Sequence, residues 1–237
     1  MQFKFQGRQY MSDQGWGEFH PDYNYWFNPE CIDIEDNNLI LDIDNTPKHG
    51  KSFGAGQAAS KKYYLYGTFE WEYTLPIGRN IWPAIWLTGA KTWPPEIDVM
   101  EGWSSEKGIH KNKRDYRRFF FFNDIQPRLH FDLGDGHKSK AKQVLYMNYT
   151  FRKHQIINGK NTCKLDWTPD SIKIYYNNHL VFECKDKTLL EYYNKPMIVV
   201  MNNAVTKDFT EKDYHDYKKN GRPLIIHSFK YAAYEKN

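Results

Sequence analysis

"TWPPEIDVMEGW", Thr92 to Trp103, sets three carboxylates, Glu96, Asp98 and Glu101, inside six residues and separates them with Ile97, Val99 and Met100. The apolar residues mark a half-buried strand, in which alternate side chains share a face. Glu96 and Asp98 then point one way, and Ile97 and Val99 the other. Glu101 has the wrong parity unless one residue is inserted. A β-bulge near Val99–Met100 supplies the insertion, because two residues then oppose one and the strand bends. With that bulge all three carboxylates line one face, the outer two about 13 Å apart between Cα atoms at roughly 3.3 Å per residue.

Crowding of this kind has a chemical use. Closely spaced carboxylates cannot all ionise cheaply, so one of them holds a proton near neutrality. Two glutamates leaning inward on a concave sheet bring their carboxyl groups to roughly 5–5.5 Å, the separation at which one attacks an anomeric carbon while the other protonates the leaving oxygen. Asp98 would sit beside the attacking group and tune its charge. The spacing alone also fits a Ca²⁺ site or an acidic surface strand.

Outward from this strand, strand signals dominate. "CIDIEDNNLILDI" (Cys31–Ile43) has two alternating runs around a polar Asp36–Asn38 turn, a hairpin pattern. "YLYGTFEWEYTL" (Tyr64–Leu75) alternates throughout, with Gly67 predicted at a bulge or bend. "NIWPAIWLTG" (Asn80–Gly89) is an apolar strand that tolerates Pro83 only at an edge, an end or a bend. "TCKLDWTPDSIKIYYNNHLVFEC" (Thr162–Cys184) predicts a three-stranded meander turning at Thr168–Asp170 and Asn177–Asn178. "PMIVVMNNAV" (Pro196–Val205) suits a strand buried on both faces, and "PLIIHSFKYAAY" (Pro223–Tyr234) closes the chain with another. Helical periodicity is weak: Thr188–Asn194 makes a turn or two, and Glu211–Lys219 is a polar loop or short helix. Short strands between turn signals, with no repeat, linker or composition break, predict a single all-β sandwich domain over residues 1–237.

Composition agrees. The 237 residues are 17% aromatic, with 18 Tyr, 15 Phe and 8 Trp, which suits strands and also stacking on sugars. A net charge of +4 is too small to favour nucleic acid, and no nucleic-acid motif accompanies it. Much of the basic charge lies in Lys107–Arg118 and Lys138–Lys142. No apolar run is long enough to span a bilayer, so no membrane partner is expected, and "MQFKFQGRQY" has no signal-peptide apolar region. Cys31, Cys163 and Cys184 lack metal-ligand spacing; Cys163 and Cys184 flank a predicted hairpin, and the expectation is against a bridge.

The flanks of the acidic strand carry a resemblance. "EIDVME" preceded by "WPAIWL" (Trp82–Leu87) resembles the family-16 glycoside hydrolases, the group of laminarinases, lichenases, agarases and κ-carrageenases. "YYLYGTFEWEYTLP" (Tyr63–Pro76), "KLDWTPDSIKIYYNNHLVFE" (Lys164–Glu183) and "PMIVVMNNAV" are similar to further family segments in the family's order, so the resemblance covers most of the chain. It implies a concanavalin-like β-jelly-roll of two curved antiparallel sheets with a concave substrate cleft. It also implies an endo-acting, retaining enzyme on a β-linked polysaccharide, with Glu96 as nucleophile, Glu101 as acid/base and Asp98 assisting. No cofactor is implied. The last strand, "SFKYAAY", lacks the acid with which members often hold a structural Ca²⁺, so no metal ligand is assigned and that Ca²⁺ is left open. The five-residue interval between the glutamates is the bulged form, which points away from a lichenase in the narrow sense.

Candidate substrate contacts follow from parity and resemblance. Trp103 shares the face of Glu101; Trp82 opens the "WPAIWL" segment, whereas Trp86 is expected in the core. Trp93 precedes the acidic strand, and His130 in "RLHFD" lies on the family's following strand. Asn202 is polar in an apolar strand, as is Asn203. Trp26 and Asn28 in "YWFNPE" resemble an early cleft-edge segment. Arg114, Arg117 and Arg118 offer bidentate contacts for sulfate or carboxylate, while the Phe run in "RDYRRFFFF" has no place on the family pattern. The expected substrate is a β-1,3- or mixed-linked glucan, with a galactan, sulfated or not, as runner-up. A non-catalytic carbohydrate-binding jelly roll would have no need to keep Glu96 and Glu101; a transglycosylase would use the same residues. The chain is expected to act as a monomer and, from its polymer substrate, outside the cell.

Overall fold

Alternation in the sequence becomes alternation in burial, most plainly along Lys160–Thr168, where every second residue is buried. The computed structural model describes residues 1–13, 22–89, 92–103, 124–131, 142–144 and 159–236, with 103, 124 and 142–144 described by backbone alone. The strands are β1 (Gln2–Phe5), β2 (Arg8–Met11), β3 (Tyr25–Phe27), β4 (Ile32–Glu35), β5 (Asn38–Leu41), β6 (Ile43–Asp44), β7 (Phe53–Ser60), β8 (Gly67–Thr74), β9 (Ile81–Gly89), β10 (Glu96–Trp103), β11 (Asp124–Phe131), β12 (Lys142–Val144), β13 (Lys160–Thr168), β14 (Ser171–Tyr176), β15 (His179–Cys184), β16 (Met197–Val205) and β17 (Leu224–Ala232). Among the described residues two α-helices, α1 (Lys187–Leu190) and α2 (Glu211–Asn220), lie between the later strands.

These strands form two sheets. The larger runs β1-β2-β7-β16-β9-β10-β11-β12, with β3 and β6 also paired to β7; the smaller runs β15-β14-β13-β8-β17-β5-β4. Among the described strands every pairing is antiparallel except the short β3–β7 contact. The core lies between the sheets. Ile85, Leu87, Ile97, Leu129, Val199 and Met201 meet Phe69, Trp71, Leu165, Trp167, Ile174 and Phe229, all essentially without solvent contact. The outer face of the larger sheet is therefore left for the polar residues of β9, β10 and β11.

The turns follow their residue chemistry. Asp36–Asn37 and Asn177–Asn178 have positive φ, as tight hairpins require. Gly67 starts β8 at φ +130, where a Cβ would lie 2.4 Å from the Ala232 carbonyl oxygen, so the predicted bend there needs glycine. Pro83 is accommodated because the ladder from β9 to β10 ends at Ala84, leaving a partner only on the β16 side. The polar 211–219 segment is a helix, started by a capping box in which Thr210 and Asp213 satisfy each other's backbone N–H. All three cysteines are free and buried. Among the described residues no helix is long and apolar enough to cross a membrane.

Candidate active site

The bulge lies where the parity argument requires it. Against β9, Asp98 pairs with Trp86 and Met100 with Ile85; against β11, Asp98 pairs with Arg128 and Glu101 with Gln126. Val99 and Met100 are consecutive yet both buried in the core, so the parity reverses between Asp98 and Glu101. Glu96, Asp98 and Glu101 consequently share the outer face. The bulge is anchored from behind: the Tyr176 hydroxyl on β14 donates to the Val99 carbonyl at 2.8 Å.

Each glutamate receives one indole N–H. Trp93 donates to Glu96 Oε2 at 2.9 Å and Trp82 to Glu101 Oε1 at 2.8 Å. Trp93 can reach because the chain folds back sharply after β9: the Gly89 N–H donates to the Pro95 carbonyl at 2.9 Å. A Cβ on Gly89 would lie 2.2 Å from the Thr92 oxygen. His130, opposite Glu96 on β11, places Nε2 at 3.1 Å from Asp98 Oδ2 and 3.4 Å from Glu96 Oε1. Its backbone carbonyl accepts from the Tyr193 hydroxyl at 2.9 Å. Arg128 Nη1 lies 3.2 Å from Glu101 Oε2.

Burial, more than any single neighbour, sets the charge on this face. It pushes the Glu96 carboxyl well above the usual carboxylate range; Asp98 and Glu101 add to the effect, while the Trp93 hydrogen bond and Arg128 oppose it. Burial and then Asp98 push Glu101 up to about 8, against Arg128 and the Trp82 N–H. The two glutamates thus retain a proton at neutral pH. Donor atoms of Glu96, Asp98 and His130 lie within 4.8 Å of one another, close enough to suit a divalent cation. A proton on His130 Nε2, facing both carboxylates, satisfies the same atoms.

Five predicted residues besides Asp98 thus meet at one place: Glu96, Glu101, Trp93, His130 and Trp82. Trp93 is 41% exposed and offers a ring face to solvent as well as its N–H. Asn202 is on the same sheet face, but its amide is engaged: Oδ1 accepts from Trp86 Nε1 at 2.8 Å and Nδ2 donates to the Trp82 carbonyl at 3.3 Å. Trp86, expected in the core, instead lies half-buried on the outer face, because it shares parity with Trp82 and pairs with Asp98. Asn203 points inward, donating to the Leu41 carbonyl at 3.0 Å.

Trp26 and Asn28 are not brought to the carboxylates by any described contact. Trp26 is buried and donates to the Thr46 carbonyl at 2.7 Å, with the Lys48 ammonium 4.5 Å from its ring. Asn28 is buried, donating to Asp44 Oδ2 at 2.7 Å and accepting from the Glu30 N–H at 3.1 Å. Both amide ends hold the β3–β6 corner together, which is a structural use of the residue. Trp103 continues β10, paired with Asp124, and its side chain lies outside the described residues, as do Arg114, Arg117, Arg118, the Phe run and the Lys107–Arg118 segment. Sequence reasoning missed Arg128, whose signal was present: it stands two residues before His130 and so shares its face.

The family model for glycosyl hydrolases family 16 matches residues 19–220. The chain belongs to this family. A β-glucanase of Rhodothermus marinus is 32% identical over 211 residues, covering 81% of this chain and 66% of that protein. An endo-1,3-1,4-beta-glycanase of Rhizobium meliloti, ExsH, is 49% identical over 76 residues, 27% of this chain and 16% of its own length. The chain therefore spans two thirds or less of these relatives. Among solved structures, a Bacteroides ovatus mixed-linkage-glucan protein of family 16 in complex with product superposes with a TM-score of 0.66 at 19% identity, covering 98% of this chain and 99% of that one. The family's two-sheet fold thus extends over nearly the whole chain.

Proposed function

We propose that the chain is an endo-acting, retaining glycoside hydrolase that cleaves internal β-linkages of a β-1,3- or mixed-linked glucan. One observation carries the reading: the bulge at Val99–Met100 puts Glu96, Asp98 and Glu101 on one sheet face, with an indole N–H on each glutamate. Glu96 attacks the anomeric carbon. Its anion is supported by Trp93 and by a proton on His130 Nε2, which Asp98 shares. Glu101 carries the retained proton and gives it to the leaving oxygen, then takes a proton from the water that opens the glycosyl-enzyme. Asp98 sits between the two and holds His130. The exposed face of Trp93 is suited to stacking on a sugar ring next to the cleavage point. These steps use side chains alone and need no cofactor.

The substrate class is supported by the relatives' names, since the Rhodothermus protein is called a β-glucanase and the Rhizobium one an endo-1,3-1,4-beta-glycanase. A polymer substrate places the enzyme's work outside the cell, with residues 1–237 acting as one catalytic unit. The test is oligosaccharide release from laminarin, mixed-linkage β-glucan, agarose, porphyran and κ-carrageenan by wild type and Glu96→Gln. Release from laminarin or mixed-linkage glucan by wild type alone is expected. Release from agarose, porphyran or carrageenan would move the substrate to a galactan. Binding without release would leave a carbohydrate-binding module.

A further inference from the structure

Arg128 stands on β11 directly across from Asp98, and its guanidinium points diagonally to Glu101. Its side chain is 10% exposed and that of Glu101 8%, so both charges are largely removed from water. A guanidinium in such a place is held by what surrounds it. On one side, Nη1 lies 3.2 Å from Glu101 Oε2. On the other, the Gln126 amide, turned so that its oxygen faces donors, accepts from Arg128 Nε at 3.0 Å.

The two oxygens of Glu101 are therefore in different situations. Oε1 is fixed by the Trp82 N–H at 2.8 Å. Oε2 is shut off from solvent, has no hydrogen-bond partner among the described residues and faces the guanidinium. Both neighbours are donors without an acceptor. A proton on Oε2 finds no acceptor in either, whereas an anion is stabilised by both.

We propose that Arg128 is a positioning residue of the reaction, clamped by Gln126 and aimed at Glu101 Oε2, where it fixes the carboxyl group that gives its proton in the first step and stabilises the carboxylate as base in the second. The proposal rests on the acid/base role given above to Glu101. In the first step the carboxyl O–H bond of Glu101 breaks as the proton goes to the glycosidic oxygen; in the second, the carboxylate takes a proton from water as the water oxygen attacks the glycosyl-enzyme. Arg128 itself gains and loses nothing. The charged and titratable groups facing Glu101 are Glu96 and Asp98 on β10, Arg128 and His130 on β11, Tyr23 beside Trp82, and Tyr176 behind the bulge. Arg128 is the permanent cation among them, so its removal moves the balance in one direction.

The test is the pH dependence of kcat/KM on laminarin and mixed-linkage β-glucan for wild type, Arg128→Gln and Arg128→Lys. In Arg128→Gln the alkaline limb should move up by about one pH unit or more, and kcat at neutral pH should fall on the order of a hundredfold. KM should change less. Arg128→Lys should keep the limb near its wild-type position and lose about tenfold in kcat, since an ammonium cannot span Gln126 and Glu101 together. An equal loss at every pH, with the alkaline limb unmoved in Arg128→Gln, would mean a merely structural role and overturn the proposal. Should Arg128→Gln fail to fold, Arg128→Lys decides: wild-type kcat would overturn it. If wild type releases nothing from either glucan, the functional reading fails instead. A 13C-carboxyl titration of Glu101 then still decides, an unchanged midpoint in Arg128→Gln standing against the proposal.

Discussion

The hydroxyl of Tyr176, on the smaller sheet, donates across the core to the carbonyl of Val99, on the larger sheet, at 2.8 Å. This bond ties the bulge, and with it the direction of Glu101, to a residue with no part in the chemistry. A bulge leaves a backbone group outside the ladder, and a buried one needs a partner. Tyr176→Phe removes that partner and keeps the ring. It should destabilise the fold by about 1–3 kcal/mol, the cost of an unsatisfied buried carbonyl. It should also lower kcat about tenfold, because small misplacements of a reacting group are costly. Thermal melts and steady-state kinetics check both; wild-type kcat with lowered stability would mean that Glu101 keeps its direction without the tie.

The two indole donors predict opposite changes in the pH profile. Removing a donor to an anion raises the pKa of that group. Trp82→Phe should shift the alkaline limb, set by Glu101, upward, while Trp93→Phe should shift the acidic limb, set by Glu96, upward and so narrow the active range. Each should cost about tenfold in kcat, as expected for one lost hydrogen bond to a charged group. The kcat/KM profiles of the two variants show whether the limbs move separately.

Stability should fall as pH rises through the neutral range. Glu101 is raised from 4.5 to about 8 on folding, so between those values the folded chain binds more protons than the unfolded one. Stability in that window decreases with pH and levels off above about 8. Glu96, shifted the same way, adds to the slope. Melting temperatures from pH 5 to 8.5 should therefore decline in wild type and decline less steeply in Glu101→Gln. Parallel slopes would contradict the account.

Much of this site was legible because strand parity is a strict rule. The run from Glu96 to Glu101 states its own bulge, since no regular strand puts all three acids on one face, and the bulge falls at Val99–Met100. The same rule could have placed Trp86 outward with Trp82 and found Arg128 through His130. What parity cannot reach is the third dimension between elements. Tyr176 lies 77 positions from Val99. Asn28 resembles a cleft-edge residue, and its partner Asp44, on another strand, is not legible in the sequence. Asn202 illustrates the middle case: its face was predictable, but not that Trp86 and Trp82 would occupy its amide.

The central claim is that Glu96 forms the covalent bond to sugar and Glu101 only moves protons. It is tested most directly by incubating wild type and Glu101→Ala with a 2-deoxy-2-fluoro glucan oligosaccharide bearing a dinitrophenolate leaving group. The fluorine slows release of the intermediate, and the leaving group needs no acid. Mass analysis of the proteolytic peptides should find one sugar adduct, on Glu96, in both proteins. An adduct on Glu101 or elsewhere, or hydrolysis with inverted anomeric configuration and no adduct, would contradict the account.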